Sequence, residues 1–339
     1  MKPFRLALAV AATATTVVVA QQPAFERLTA EQLDVVPPSA RVTGTLGSLK
    51  VEETSCRGLP TAQLRRRIVD VAAQEWGFFG FTVIDQTRPE APRVRRSRRR
   101  WSLLSPADTV RVADSIAGYW TVTPEGSWII ENQNRRWNTS GTDTRWRTPW
   151  SAAFVSWVMC ESGLEDSSEF RRAVAHHTYI DQAIRARDAA APTAAFTAHD
   201  IGEAVITPGD LLCSGRRPAY RSLAERRQQM GKGARMHCDV VVKLDAARDR
   251  ILAIGGNVRG TVGLKLLPAI SEPEVGLRPA GGSRWPLFVH LKLRAAPIES
   301  DALDGSPTMH ALGCDDGFVA PTQLVAASLT PQGARATRC

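Results

Sequence analysis

Ser151, His237 and Asn257 are of the types, and in the settings, that acyl-transfer chemistry uses. Ser151 lies in T-P-W-S-A-A-F-V-S-W (148–157), where an apolar helix is predicted to begin. A hydroxyl at that point has two uses. It can cap the helix, since serine is a preferred N-cap residue. It can also serve as a nucleophile, because the free N–H groups and positive dipole of a helix start stabilise a developing oxyanion. His237 opens the apolar run H-C-D-V-V-V-K-L, and Asn257 ends I-G-G-N. The two runs, 238–244 and 250–254, read as a hairpin. If Leu244 pairs with Arg250, His237 lies opposite Asn257, and directly opposed side chains sit about 5 Å apart at Cβ. An Asn carbonyl on one ring N–H would fix the imidazole tautomer and leave the other nitrogen as a general base. The inference depends on register, since a slip of one residue turns every side chain to the other face. Plainer readings stand beside it. His237 can be an ordinary strand-end residue, and Gly255-Gly256-Asn257 a simple turn. No G-K-[ST] helix start follows, so the glycines do not form a phosphate loop.

The elements that must position these residues come in two blocks. Leu64, Ile68, Val71, Ala72 and Trp76 recur at helical spacing after Thr61, and Gly77 marks a stop. A second helix is predicted over 106–119, while 121–147 reads as loop. Trp150, Ala153, Phe154, Trp157 and Val158 form one apolar face of the helix that begins near Ser151 and ends near Gly163. A further helix is predicted over 168–187. It carries His176, His177, Tyr179 and Asp181, but without an H-E-x-x-H pattern no zinc site is expected there. Whether these side chains line a groove is left open by the spacing. Strands follow at 208–215, 238–244, 250–254, 262–268 and 284–294, the last closing the sheet. Helices followed by strands predict an α+β fold: N-terminal helices packed on an antiparallel sheet. The expected organisation is a segment to be removed (1–20), an irregular segment (21–58), one domain (59–297) and an irregular tail (298–339).

Composition narrows the setting. The chain begins M-K-P-F-R, then runs L-A-L-A-V-A-A-T-A-T-T-V-V-V-A. A short basic start, an apolar run and a small-residue end make a secretory signal peptide, and the run is short for a membrane span. The protein is therefore expected to be exported, to a periplasm or the exterior. The formal net charge is +9, and six arginines crowd 93–100. In an exported chain this Arg93–Arg100 patch suits an anionic envelope rather than nucleic acid; a solvated loop is the simpler reading. Six cysteines (Cys56, Cys160, Cys213, Cys238, Cys314 and Cys339) are an even count that suits disulfides. Strand alternation turns Cys238 away from His237's face, and a Cys213–Cys238 bridge needs their two strands to pair. No cofactor and no metal is expected.

Taken together and in order, P-W-S-A-A-F-V-S-W, P-G-D-L-L, H-C-D-V-V-V and I-G-G-N-V resemble the papain-like bacterial cell-wall amidohydrolases of the NlpC and CHAP types. The same motifs resemble an uncharacterised bacterial family, the domain of unknown function 2272, thought to belong to the same clan. The resemblance spans roughly 60–295. It implies a papain-like fold in which Ser151 matches the nucleophile, His237 the base and Asn257 the orienting residue. It also implies a peptide or peptidoglycan substrate. The departure is serine at a cysteine's position. A thiol is partly ionised near neutral pH, whereas a hydroxyl must lose its proton as it attacks. The expectation is thus a Ser-His-Asn hydrolase. The alternatives are a catalytically silent wall- or protein-binding module on the same scaffold, or a serine esterase or acyltransferase.

Overall fold

A computed structural model describes residues 25–87, 102–274, 276–281 and 286–313. The leader at 1–20, the Arg93–Arg100 patch, Cys314 and Cys339 lie outside the described residues.

Two short paired strands, β1 (Val42–Thr43) and β2 (Lys50–Val51), precede α1 (Leu64–Phe78) and β3 (Thr82–Asp85). Four helices follow: α2 (Pro106–Arg111), α3 (Ala113–Thr121), α4 (Gly126–Ser140) and α5 (Ser151–Glu161). Then come α6 (His177–Asp188), β4 (Phe196–His199), β5 (Leu211–Arg217) and α7 (Leu223–Arg227). The chain continues through β6 (Arg235–Asp245), β7 (Arg250–Val258), β8 (Thr261–Glu272), β9 (Gly276–Pro279), β10 (Leu287–Leu293) and α8 (Pro307–Ala311). The main sheet runs β3-β8-β7-β6-β5-β10-β4, with β9 paired to β8. The fold is α+β, as the order of elements predicted. The sheet is mixed rather than wholly antiparallel, because β3 runs parallel to β8. β10 does not close it: β10 lies between β5 and β4, and the edge strand is the F-T-A-H segment, which is too short to announce itself.

One face of the sheet carries the main core. Trp76, Trp120, Phe154 and Trp157 are fully buried there with Val240, Leu252, Ile254 and Leu264. Each such side chain contributes roughly 1.5–3 kcal/mol by leaving water. Every residue of α5 is buried, so this helix is enclosed on all sides rather than one-faced. A smaller cluster, including Leu212, Val241, Ile251 and Ala253, covers the other face.

Four local expectations change. The predicted loop at 121–147 contains α4. Asn-rich composition disguised it, but Ile129, Ile130, Gln133 and Trp137 supply a buried helical face. The helix expected from 106 to 119 is broken at Val112 into α2 and α3. The helix expected from 168 begins only at His177. Ser156 on α5 is the cause: its hydroxyl accepts from Ala173 N–H (3.0 Å) and lies 3.2 Å from Ala173 O, which holds 172–176 beside α5 in a non-helical path. The described part of the expected tail, 298–313, lies against β6: Leu303 N–H donates to Val242 O, and Leu303 and Met309 are buried.

Two disulfides tie these layers. Cys213 and Cys238 are directly opposed on β5 and β6 and are bridged. Cys56 is bridged to Cys160, near the C-terminal end of α5. Among the described residues no helix is long and apolar enough to cross a membrane.

Candidate functional site

Ser151 is the first residue of α5, and its hydroxyl does not cap the helix. The N-cap is Trp150, and no side chain caps the end. The first ladder bond is Phe154 N–H to Trp150 O, so among the described residues the N–H groups of Ser151 and Ala152 have no partner. The hydroxyl instead meets His176 Nε2 at 2.7 Å. The other ring nitrogen of His176, Nδ1, is hydrogen-bonded to the Tyr179 hydroxyl. With Nδ1–H donating to Tyr179 Oη, Nε2 is the acceptor for the Ser151 O–H, the arrangement a general base requires. The spacing follows from the fold. His176 ends the segment held beside α5 by Ser156, and Tyr179 lies in the first turn of α6.

His237 is beside this pair, its ring centroid 5.5 Å from that of His176. Its Nε2 donates to Asp239 Oδ1 at 2.9 Å, and Lys265 Nζ donates to Asp239 Oδ2 at 2.7 Å. His237 and Asp239 are two apart on β6 and so share a face. His237 Nδ1 makes no hydrogen bond among the described residues. Ser151 is 8% exposed, His176 4%, His237 3% and Asp239 3%.

Burial sets the charges. It drives the His176 pKa well below the usual histidine value, and the neighbouring His237 pushes it the same way. Burial also lowers His237 to about 4, against the opposing pull of Asp239. Asp239 is penalised by burial, yet His237 and Lys265 hold its carboxyl well below the usual range. Burial raises the Tyr179 phenol far above its ordinary value, so it stays neutral. Both histidines are therefore neutral at pH 7, facing an ionised Asp239.

A stability prediction follows from His237. Its folded pKa is depressed, so the unfolded chain binds a proton below pH 6.5 that the folded chain refuses until about pH 4. The associated stability is complete above 6.5 and is lost as pH falls through about 4, reaching about 3 kcal/mol. Urea midpoints measured at neutral pH and near pH 4 should fall less steeply for His237→Gln than for the parent protein. Equal slopes would refute this assignment.

The predicted trio is thus not joined by hydrogen bonds to one another. Leu244 pairs with Ile251 rather than Arg250, and a bulge between Val241 and Lys243 restores the expected register at Val240–Ile254. The described ladder ends there. Asn257 lies at a register irregularity within β7, between Gly255 and Val258, with φ +54°, and its side chain makes no hydrogen bond to His237. His237 takes Asp239 as its partner instead. The G-G-N run serves close approach. A Cβ on Gly255 would fall 2.0 Å from Asp239 Oδ1 and 3.0 Å from His237 Nε2. A Cβ on Gly256 would fall 2.4 Å from Phe154 Cβ, so this glycine lets α5 lie against β7. Sequence reasoning passed over His176 and Tyr179 as partners of Ser151. The available signal was H-x-x-Y at the start of a helix, with three residues' spacing placing both on one face. Asp239 and Lys265 carried no signal, because a carboxylate and an amine inside strands read as solvated.

A family model described as "Uncharacterized protein conserved in bacteria (DUF2272)" matches residues 108–293, more than half of the chain and all of this site. No curated protein and no solved structure matches the chain.

Proposed function

The chain belongs to the bacterial family DUF2272, and from that premise we propose that it is an exported serine-dependent acyl hydrolase acting on an amide of cell-wall peptides. The observation that carries this reading is the 2.7 Å contact of Ser151 Oγ with His176 Nε2 at an uncapped helix start. Ser151 attacks the carbonyl carbon while its proton passes to His176 Nε2. Tyr179 keeps Nδ1 protonated and the ring in place. The oxyanion accepts from the N–H groups of Ser151 and Ala152. His176 then gives its proton to the leaving amine, and water releases the acyl group from Ser151. A nucleophile at the start of a buried helix packed on a sheet fits a papain-like arrangement with serine in the cysteine's place. Two disulfides and the leader-like start support export. The Arg93–Arg100 run would hold the protein near anionic envelope polymers.

A second reading gives the base role to His237, with Asp239 rather than Asn257 as its orienting residue. It is favoured by the Nε2–Asp239 bond, which leaves Nδ1 available. A catalytically silent wall-binding module is the third.

A fluorophosphonate probe followed by intact-mass measurement tests the proposal. One adduct is expected on the parent protein and none on Ser151→Ala, which should also fail to cleave muropeptides. A parent protein that neither labels nor cleaves would leave the silent module standing.

A further inference from the structure

At the far end of α5 from Ser151 lies a cleft of about 440 Å³, within the range of small-molecule sites. Two arginines, Arg171 and Arg172, line it together with the hydroxyl residues Thr54, Thr123, Ser127 and Ser167, and no carboxylate does. Arg172 is fixed in place: its Nη1 donates to the carbonyls of Leu164 (2.9 Å) and Glu165 (2.8 Å). Its Nε is buried without a partner. Among the described residues neither arginine forms an ion pair. Burial and the nearby Arg41 pull the Arg172 pKa down, while Asp166 and Glu165 pull the other way without restoring it. The hydroxyls of Thr54, Ser127 and Ser167 bond nothing among the described residues. α4, fifteen residues long, opens at this wall without a side-chain cap, and the N–H groups of Ser127 and Trp128 have no partner among the described residues.

The wall of this cleft is cationic and rich in hydroxyls. The guanidinium fork suits a carboxylate or phosphate, and the exposed hydroxyls of Thr54, Ser127 and Ser167 and the volume suit a polyhydroxyl carrier larger than a bare oxyanion. We propose that this cleft binds an anionic saccharide, its acidic group against Arg171 and Arg172 and its ring hydroxyls on the serine and threonine wall. The segment 172–176 links the two ends of α5: Arg172 at Leu164, Ala173 at Ser156, His176 at Ser151. The helix is eleven residues long, about 16 Å from end to end, and the cleft shares no lining residue with the Ser151–His176 end. It is a separate anchoring point, not a part of the reactive site.

Calorimetric titration of the full chain with D-glucuronate, inorganic phosphate and D-glucose tests this. Glucuronate is expected to bind, phosphate more weakly and glucose not at all. Arg171→Gln should weaken glucuronate at least tenfold, and so should Arg172→Lys, which keeps the charge but loses the fork and is the variant less prone to unfold than a neutral one. Ser151→Ala should leave binding unchanged. The proposal fails if glucuronate gives no signal at millimolar concentration. It also fails if both arginine variants bind it as the parent does, or if phosphate matches glucuronate, which would mean a free-oxyanion site.

Discussion

Replacing His176 by glutamine should slow covalent labelling of Ser151 by about 10²–10⁴-fold, the usual worth of a positioned general base. The Ser151 hydroxyl has no other hydrogen-bond partner among the described residues, so its proton has no other route. Glutamine keeps a polar group near the Tyr179 hydroxyl but cannot take up a proton. His237→Gln should leave labelling within a few-fold of the parent, because His237 is bonded to Asp239 and not to Ser151. The pH profile adds a check. Labelling needs neutral His176, and burial depresses its pKa. The rate should therefore hold from alkaline pH to below 6.5 before it falls. If His237→Gln proves the more damaging change, the base role passes to His237 and Asp239, as in the second reading.

Asp210→Ala should cost about 3–5 kcal/mol of stability, the usual loss when one partner of a buried ion pair is removed. Asp210 is fully buried and joins three parts of the fold. Its Oδ1 accepts from Arg65 Nη1 at 2.7 Å and from Leu293 N–H at 3.0 Å. Its Oδ2 accepts from His290 Nε2 at 2.8 Å and from Thr207 N–H at 3.0 Å. Arg65, on α1, also donates to the carbonyls of Pro208, Leu293 and Ala295. Removing the carboxylate strands a buried guanidinium and a buried imidazole together. Urea denaturation of parent and variant measures the loss. A change below about 1 kcal/mol would show that the network relaxes or admits water.

The P-G-D-L-L run that holds Asp210 was legible as a turn entering a strand, and so were α1, α5 and the strands β5 to β8. Each carries its own period of 3.6 or 2, written in residues that are neighbours along the chain. Ser151 was legible for the same reason: its setting is the local start of an apolar helix. The partners of Ser151 were not. His176 reaches it because Ser156 pins a non-helical segment beside α5, a contact spanning seventeen residues of sequence. α4 was hidden because asparagine and arginine occupy its solvent side and only tertiary burial of Ile130 and Trp137 makes it a helix.

By itself, then, the sequence left the pairing of the cysteines open but determined the α+β class, the helix that carries Ser151 and the hairpin that carries His237. These are consequences of periodicity and of short-range geometry, which local residues specify. The tertiary structure alone decided which side chain each histidine serves. The β6–β7 ladder ends at Val240–Ile254, and the irregularity between Gly255 and Val258, together with the close approach that Gly255 and Gly256 permit, left Asn257 unpaired with His237 and gave His237 to Asp239. A hydrogen bond is decided within a few tenths of an ångström, and side-chain partners set to that tolerance depend on how whole layers pack.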